Sequence, residues 1–364
     1  MARRVLVVGA QGFLGGFLAR AFADEGWRVT RAGRRPESGA DFRLVDLDRP
    51  ETLRDAFGEV DLVVSTVRHP GLHAERAVLG QGPFLLNLDD LPATERAALK
   101  RQTPNPGGLV VDRCGLYGVA MLALVEILQE HPDADRVNYG FVVSTAEKSG
   151  RAGGALIHRL LSGRGRRSTE SFRLVAPFGR CRTIETGPES ESLLREIAGE
   201  RDIRLYLCFM PAIVNRGMLA LNALGLASRL PHAAFTAGRS RPPAEPSRQL
   251  TCHWVEVRRG GQVLASRIVS GEGDYRMSVS VTMIVADMLL SEAYSGPRRG
   301  LFGVDQILTL DDLTVALAKR GIAVRSMADQ PSEENHLRAD MRQTVAVGAV
   351  DMRAIGPSGR LEVK

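Results

Sequence analysis

Three evenly spaced glycines are the first residues in this chain that could do chemistry: Gly9, Gly12 and Gly15, in the run Gly9-Ala10-Gln11-Gly12-Phe13-Leu14-Gly15. Such a loop is weak evidence alone. It gains force when a buried strand runs straight into it and a helix straight out of it. Arg4 to Val8 is a short β-branched apolar run, and Phe13, Leu14, Phe17, Leu18, Ala21 and Phe22 recur behind it at helical spacing. The first glycine permits the tight turn, the second lets the main chain approach a pyrophosphate, and the third lets the helix pack closely on the strand. The helix N-terminus then presents its N–H groups to the phosphate charge. The loop predicts a bound dinucleotide, contacted by Gly9, Gln11, Gly12, Phe13, Leu14 and Gly15.

The second strand, Trp27 to Ala32, is expected to end beside the adenosine ribose. A site for NAD places an acid there to accept from the 2′-hydroxyl. This chain has Thr30-Arg31-Ala32-Gly33-Arg34-Arg35 instead, and no Asp or Glu lies between Glu25 and Glu37. Guanidiniums suit a 2′-phosphate, so Arg31, Arg34 and Arg35 predict NADP(H). Asp46 and Leu47, after the third strand, are placed to meet the adenine. Ser65, Thr66 and Val67, after the fourth, are placed to line the nicotinamide side.

The elements that must hold these residues alternate. Strands are expected at Phe42 to Val45, Leu62 to Thr66, Phe84 to Leu88 and Gly108 to Val111. Helices are expected at Glu51 to Phe57, His73 to Leu79, Ala93 to Arg101 and Val119 to Glu130. Strand and helix in alternation with short loops give an α/β fold with a doubly wound parallel sheet, a Rossmann domain over residues 1–130. A second, α+β domain for substrate or dimerisation is expected over 131–272. Val137 to Ser144 alternates like a half-exposed strand. Ala152 to Leu161 reads as a helix, and Phe172 to Ala176 and Arg182 to Glu185 as strands. The apolar stretch Leu205 to Leu230 reads as an amphipathic helix. Thr251 to Arg258 and Gln262 to Ser270 flank Gly260-Gly261 as a hairpin. Residues 273–330 read as helices returning to the Rossmann domain, and 331–364 as a tail or a hairpin around Gly356 to Gly359. Residues 239–249 are a Pro-rich loop.

Other chemistries find no residues. No Tyr is followed four positions later by Lys, and there is no Gly-x-Ser-x-Gly, no His-Glu-x-x-His and no phosphate-loop lysine. Cys114, Cys181, Cys208 and Cys252 are far apart and form no metal-ligand spacing. Neither a metal site nor a disulfide framework is expected, and reduced thiols in a cytoplasmic protein are. The chain is 44% hydrophobic and 25% charged, with net charge +6. Only Lys100, Lys148, Lys319 and Lys364 among its 48 basic residues are lysines. The excess is spread along the chain, which argues against a nucleic-acid partner. Arg216 interrupts the most apolar stretch, so no integral membrane span is expected.

With these residues in place, the chain resembles the saccharopine dehydrogenase/reductase-like NADP-binding superfamily, which includes saccharopine reductases, carboxynorspermidine-type dehydrogenases and trans-acting enoyl reductases. The resemblance lies in the Gly9-x-x-Gly12-x-x-Gly15 loop, the strand end Val29 to Arg34, and the segments Ser65 to Pro70, Gly82 to Asn87, Asp112 to Gly118 and Gly273 to Met277. It implies an NADP(H)-dependent oxidoreductase acting on a C=N, C=O or C=C bond of a small metabolite, and a homodimer through the second-domain sheet. Leu85 and Asn87 stand where the family has Tyr and Asp, and Tyr117 stands where it has Pro. These departures fall on the substrate side, so a saccharopine activity does not carry over. Two alternatives remain open on the same fold: a non-redox enzyme using transient nicotinamide chemistry, and a nucleotide-sensing protein.

Reduction of an electrophilic carbon asks for placement, exclusion of water and one modest acid or base. His69, Tyr117 and Arg113 are the catalytic candidates, His69 because it exchanges a proton near neutral pH. Arg68, Asp89 and Asp112 share the predicted cofactor side. Lys148, Arg151, His158 and His253 are candidates from the second domain, and Cys114 is a nucleophile without a paired base.

Overall fold

The computed structural model describes residues 2–57, 60–88, 90–144, 151–162, 166–186, 194–231, 234–235 and 248–327. Two seven-stranded sheets organise them. The first runs through β1 (Arg4–Val8), β2 (Arg28–Gly33), β3 (Phe42–Leu44), β4 (Leu62–Ser65), β5 (Phe84–Asn87), β6 (Leu109–Asp112) and β13 (Gly300–Gly303). Its order is β13-β6-β5-β4-β1-β2-β3 and every pairing is parallel. Helices α1 (Phe13–Asp24), α2 (Glu51–Phe57), α3 (His73–Gln81), α4 (Ala93–Gln102) and α5 (Leu116–Glu130) join its strands. Val5, Leu6, Val7, Leu62, Val63 and Val64 are wholly buried because helices cover both faces. This is the doubly wound fold the alternation predicts, and its switch point lies between β1 and β4.

The second sheet has the order β14-β12-β11-β7-β10-β9-β8. Its strands are β7 (Arg136–Ser144), β8 (Thr169–Arg173), β9 (Arg180–Glu185), β10 (Asp202–Met210), β11 (Leu250–Arg259), β12 (Gln262–Glu272) and β14 (Ala323–Ser326). It is mixed: β7 pairs parallel with β10 and antiparallel with β11. Its helices are α6 (Arg151–Leu161), the short α7 (Arg195–Ala198) and α8 (Ala212–Ala223). After β12 the chain forms α9 (Asp274–Leu289), then β13, then α10 (Leu310–Lys319), then β14. This last segment gives each sheet an edge strand. Helices α5 and α9 pack on one another, and both pack on β12. Leu116 to Leu128 is buried on nearly every side as a result.

Three expectations change. Val137 to Ser144 is not half-exposed: β7 sits in the middle of its sheet, with Val137 and Asn138 fully buried. Leu205 to Leu230 does not begin as a helix. Asp202–Met210 is a strand buried on both faces, and the α-helix spans only Ala212–Ala223, with a single 3-10 turn after it at Ala227–Arg229. A short apolar run buried all round carries no period to separate strand from helix. Cys181 on β9 and Cys208 on β10 form a disulfide, with Cα atoms 6.7 Å apart. A separation of 27 residues hid the fact that their strands are neighbours. Cys114 and Cys252 are free and buried. Among the described residues no helix is long and apolar enough to cross a membrane. The hairpin expected within 344–363 and residues 239–247 of the Pro-rich loop lie outside the described residues.

Candidate functional site

At the C-terminal end of β1 the glycines are used as the loop requires. Gly9 has φ +84°, and its N–H and that of Ala10 both donate to the carbonyl of Ala32, at 3.0 and 3.1 Å. A Cβ on Gly9 would lie 2.4 Å from Val67 Cγ2 and 2.6 Å from Thr66 Oγ1. A Cβ on Gly15 would lie 2.2 Å from the Gly9 carbonyl oxygen. Thr66 Oγ1 donates to the Val8 carbonyl at 3.1 Å, so the loop after β4 is laced to the end of β1. Gly12 is exposed and extended in front of α1, and no side chain caps that helix. Its first-turn N–H groups are left for a ligand, at the positive end of the helix dipole. These features fit the pyrophosphate of a dinucleotide.

The loop also grips the end of β2. Gln11 Nε2 donates to the Arg35 carbonyl at 2.9 Å, and Gln11 Oε1 accepts from the Arg35 N–H at 3.4 Å. Arg34 and Arg35 are exposed there. Arg31 differs from them, because its guanidinium pairs with Glu37 at 3.1 Å. The three arginines therefore divide into one ion-paired and two facing solvent. Asp46 is occupied in its own turn: its N–H donates to Thr52 Oγ1 at 3.0 Å and its Oδ1 accepts from the Asp48 N–H at 3.2 Å. Leu47 is buried behind it. Phe13, the first residue of α1, stacks edge-on against Phe17 and Tyr275, with ring centroids 5.0 and 4.8 Å apart. Leu14 is half-buried beside it.

His69 is held on the β3 side of the crevice. Its Nε2 lies 2.9 Å from Asp48 Oδ1, and its Nδ1 accepts the Gly71 N–H at 3.1 Å. A main-chain N–H can only donate, so Nδ1 is the bare nitrogen and Nε2 carries the hydrogen. Asp48 follows β3, so this contact ties the loop after β4 to the loop after β3. Ser65 is fully buried and spends its hydroxyl on the Val67 carbonyl at 2.9 Å, while Val67 is exposed over Gly9. Arg68 pairs with both oxygens of Glu95 at 3.0 Å.

Arg113 is turned inward. It is 1% exposed, has φ +61°, and pairs with Asp305 at 2.8 Å, Glu196 at 3.4 Å and Asp90 at 3.5 Å. Arg96, equally buried, grips Asp112 at 2.7 Å and 3.2 Å. Burial raises the Asp112 carboxyl to about 6, against the pull of both guanidiniums. This ionic knot ties the ends of β5 and β6 to α4, α7 and the turn after β13. Arg113 serves the knot and has no free face toward a ligand. Cys114 is fully buried, and burial holds its thiol well above the ordinary range, the wrong direction for a nucleophile. His158 packs its ring on Phe235, 5.9 Å away. Asp89 and Lys148 lie outside the described residues, as does the side chain of Arg151.

Tyr117, at the start of α5, packs edge-on against Tyr139 of β7, with ring centroids 5.7 Å apart. That contact leads to a group of which the sequence reading named only His253. The Tyr139 hydroxyl lies 2.7 Å from His253 Nδ1, and His253 Nε2 lies 3.1 Å from Asp274 Oδ1. Tyr139, Phe141, His253 and Val255 share one face of the second sheet, by the register His253↔Phe141 and Val255↔Tyr139. Burial holds the Tyr139 and Tyr117 hydroxyls well above the usual phenol range, so both keep their protons. His253 was one candidate among several. Tyr139 gave no signal, and Asp274 entered only within the Gly273 to Met277 segment of the resemblance.

The family model for the NAD dependent epimerase/dehydratase family matches residues 5–79, the stretch from β1 into α3. No curated protein sequence matches the chain. Among solved structures, the chain superposes on the apo histidine-tagged saccharopine dehydrogenase (L-Glu forming) of Saccharomyces cerevisiae with TM-score 0.58 and 13% identity, covering 90% of this chain and 100% of that one. The fold is the saccharopine dehydrogenase fold. A meso-dapdh mutant with DAP from Clostridium tetani aligns with TM-score 0.45 at 12% identity, over 87% of this chain and 98% of that one. The dipicolinate-bound dihydrodipicolinate reductase of a Paenisporosarcina species aligns with TM-score 0.41 at 11% identity, over 85% and 100%.

Proposed function

We propose that this protein is an NADP(H)-dependent oxidoreductase that moves hydride to or from a C=N, C=O or C=C bond of a small metabolite. One observation carries the reading. The uncapped N-terminus of α1 and the exposed Arg34 and Arg35 are fastened into a single unit by the Gln11 side chain. An anion-binding helix end and two solvent-facing guanidiniums suit the two charged parts of one ligand, a pyrophosphate and a 2′-phosphate. The shared fold with saccharopine dehydrogenase and the match of residues 5–79 to a family of NAD-dependent enzymes support it.

When bound, the nicotinamide supplies or accepts the hydride. The chain's own residues do the rest. Gly9, Gly12 and Gly15 let the main chain approach the pyrophosphate. Arg34 and Arg35 hold the 2′-phosphate. Thr66 and Val67 brace the loop from the β4 side. Phe13 and Tyr275 pack their rings together beside the loop, and apolar surface there strengthens the polar contacts that it shields from water.

The test is titration of the purified protein with NADPH and NADH, followed by turnover with carbonyl and imine compounds. Preferred binding of NADPH and its oxidation are expected. Failure of both nucleotides to bind would overturn the reading. The epimerase/dehydratase match favours a second reading, transient nicotinamide chemistry without net turnover. Its signature in the same assay is a retained nucleotide that is never consumed.

A further inference from the structure

We propose that the hollow between α8 and the β8–β9 edge of the second sheet is a second ligand site, one that takes a phosphate monoester carrying a small apolar group. The hollow measures about 240 Å³. It lies outside the nucleotide loop, which belongs to the first sheet. Its volume is below the range of drug-sized sites, so its ligand is small. Two guanidiniums line it, Arg166 from the segment before β8 and Arg182 from β9, together with Thr169 of β8. Leu219, Ala220 and Ala223 of α8 give it an apolar wall, and no carboxylate lines it.

Strand alternation sorts the charges here. Thr169, Ser171 and Arg173 of β8 share one face with Arg180, Arg182 and Ile184 of β9, by the register Ser171↔Arg182 and Arg173↔Arg180. The carboxylates of these two strands, Glu170 and Glu185, belong to the other face. Glu170 accepts the Tyr206 hydroxyl at 2.7 Å and pairs with Arg258 at 2.6 Å, and Glu185 lies 3.9 Å from Arg204. Among the described residues neither Arg166 nor Arg182 meets a carboxylate. Arg182 reaches a neutral oxygen, Thr169 Oγ1, at 3.3 Å. That oxygen accepts, so the threonine hydrogen is left to donate to an anion. Arg216, also exposed, stands one turn before Ala220 on the same ridge of α8.

Two buried asparagines of α8, Asn215 and Asn222, fix the main chain behind these arginines. Asn215 Oδ1 accepts the Phe209 N–H at 3.0 Å, and its Nδ2 donates to the Arg182 carbonyl at 2.8 Å. By the β9–β10 register Phe209 and Arg182 face each other, so the amide sits where a ladder bond would otherwise close. Asn222 Oδ1 accepts the Arg167 N–H and its Nδ2 donates to the Arg167 carbonyl, both at 3.0 Å. The main chain of Arg182 and of the residue next to Arg166 is thereby held against one helix, which lowers the ordering cost of binding. A phosphate accepts from guanidiniums in their forked geometry. The small side chains of Ala220 and Ala223 leave room beside Leu219 for a short hydrocarbon on that phosphate.

The experiment is calorimetric titration of the full-length protein with butyl phosphate, inorganic phosphate and butanol. Butyl phosphate is expected to bind about 10-fold more tightly than inorganic phosphate, the effect of two buried methylenes, and butanol is expected not to bind. Arg182→Gln is expected to weaken butyl phosphate by about 10-fold or more. Ala220→Glu, at an exposed helix position where glutamate is well tolerated, is expected to abolish binding and leave the melting temperature unchanged. NADP(H) itself carries a phosphate monoester, so Arg34→Ala is titrated too and is expected to bind butyl phosphate as the wild type does. Vesicles of phosphatidylcholine with phosphatidic acid added separate the two sources of such a phosphate. Binding to them that Ala220→Glu abolishes assigns the site to a lipid headgroup, and butyl phosphate binding without it assigns the site to a free metabolite. Failure of both butyl phosphate and the vesicles to bind, or binding that survives Ala220→Glu, would overturn the proposal. Loss of butyl phosphate binding in Arg34→Ala would move the phosphate to the nucleotide loop and overturn it as well. Equal affinity for the two phosphates would overturn the part given to the apolar wall. The oxidoreductase reading stands or falls separately, on NADPH and NADH.

Discussion

The side chain of Gln11 holds the main chain of Arg35 at both its N–H and its carbonyl, across 24 residues of sequence. A residue of the phosphate loop thereby sets where the β2 arginines stand. Gln11→Ala removes that hold without touching a charge. We expect NADPH affinity to fall roughly 3- to 10-fold, on about 1 kcal/mol for a neutral hydrogen bond, with a smaller change for NADH. Fluorescence titration of both nucleotides checks it. Equal losses for the two would mean that Gln11 acts on the pyrophosphate end alone.

Gly15 is fixed by contact with main chain. A Cβ there would sit 2.2 Å from the Gly9 carbonyl oxygen, and no side-chain rotation relieves it. Gly15→Ala is expected to lower the unfolding free energy by about 1–3 kcal/mol, the usual range for overpacking a tight site. NADPH binding is expected to weaken with it, since α1 must move off β1. Urea denaturation with a parallel titration reads both. A variant as stable as the wild type, with normal affinity, would contradict the packing described.

These two residues were legible in the sequence because their work is local: strand, turn and helix follow one another within a few residues. The parallel sheet was legible for the same reason, in the alternation of β-branched runs and helical periods. What escaped was decided by pairing across the fold. Tyr139 and His253 are 114 residues apart and meet only through the β7–β11 register. His69 looked like a free acid until its Gly71 and Asp48 partners were visible. Arg113 read as a catalytic candidate, and nothing in its neighbours announced that Glu196 and Asp305 would close on it from distant segments. Edge strands of four residues, such as Gly300–Gly303 and Ala323–Ser326, carry too few side chains to show a period.

The ionic knot makes a prediction about pH. Burial lifts the Asp112 carboxyl from 3.8 to about 6. A group raised on folding binds its proton more tightly in the native state than in the unfolded one. Its contribution to stability is complete below pH 3.8 and is lost as pH rises through about 6. The shift corresponds to on the order of 3 kcal/mol. The stability of the wild type relative to Asp112→Asn should therefore decline between pH 4 and pH 7 and level off above. Urea midpoints for the pair across that range give the answer. A difference that grows toward pH 7 would mean that Arg96 and Arg113, rather than burial, govern the carboxyl.

NADP(H) selectivity is tested most directly at Arg34. The measurement is the ratio of NADPH to NADH dissociation constants in the wild type and in Arg34→Ala. A charge-assisted hydrogen bond to a phosphate contributes roughly 1.5–3 kcal/mol, so the variant should bind NADPH about 10- to 150-fold more weakly. NADH, which has no 2′-phosphate, should bind as before, and the ratio should collapse. Equal losses for the two nucleotides, or no loss for either, would contradict the assignment of this site to NADP(H).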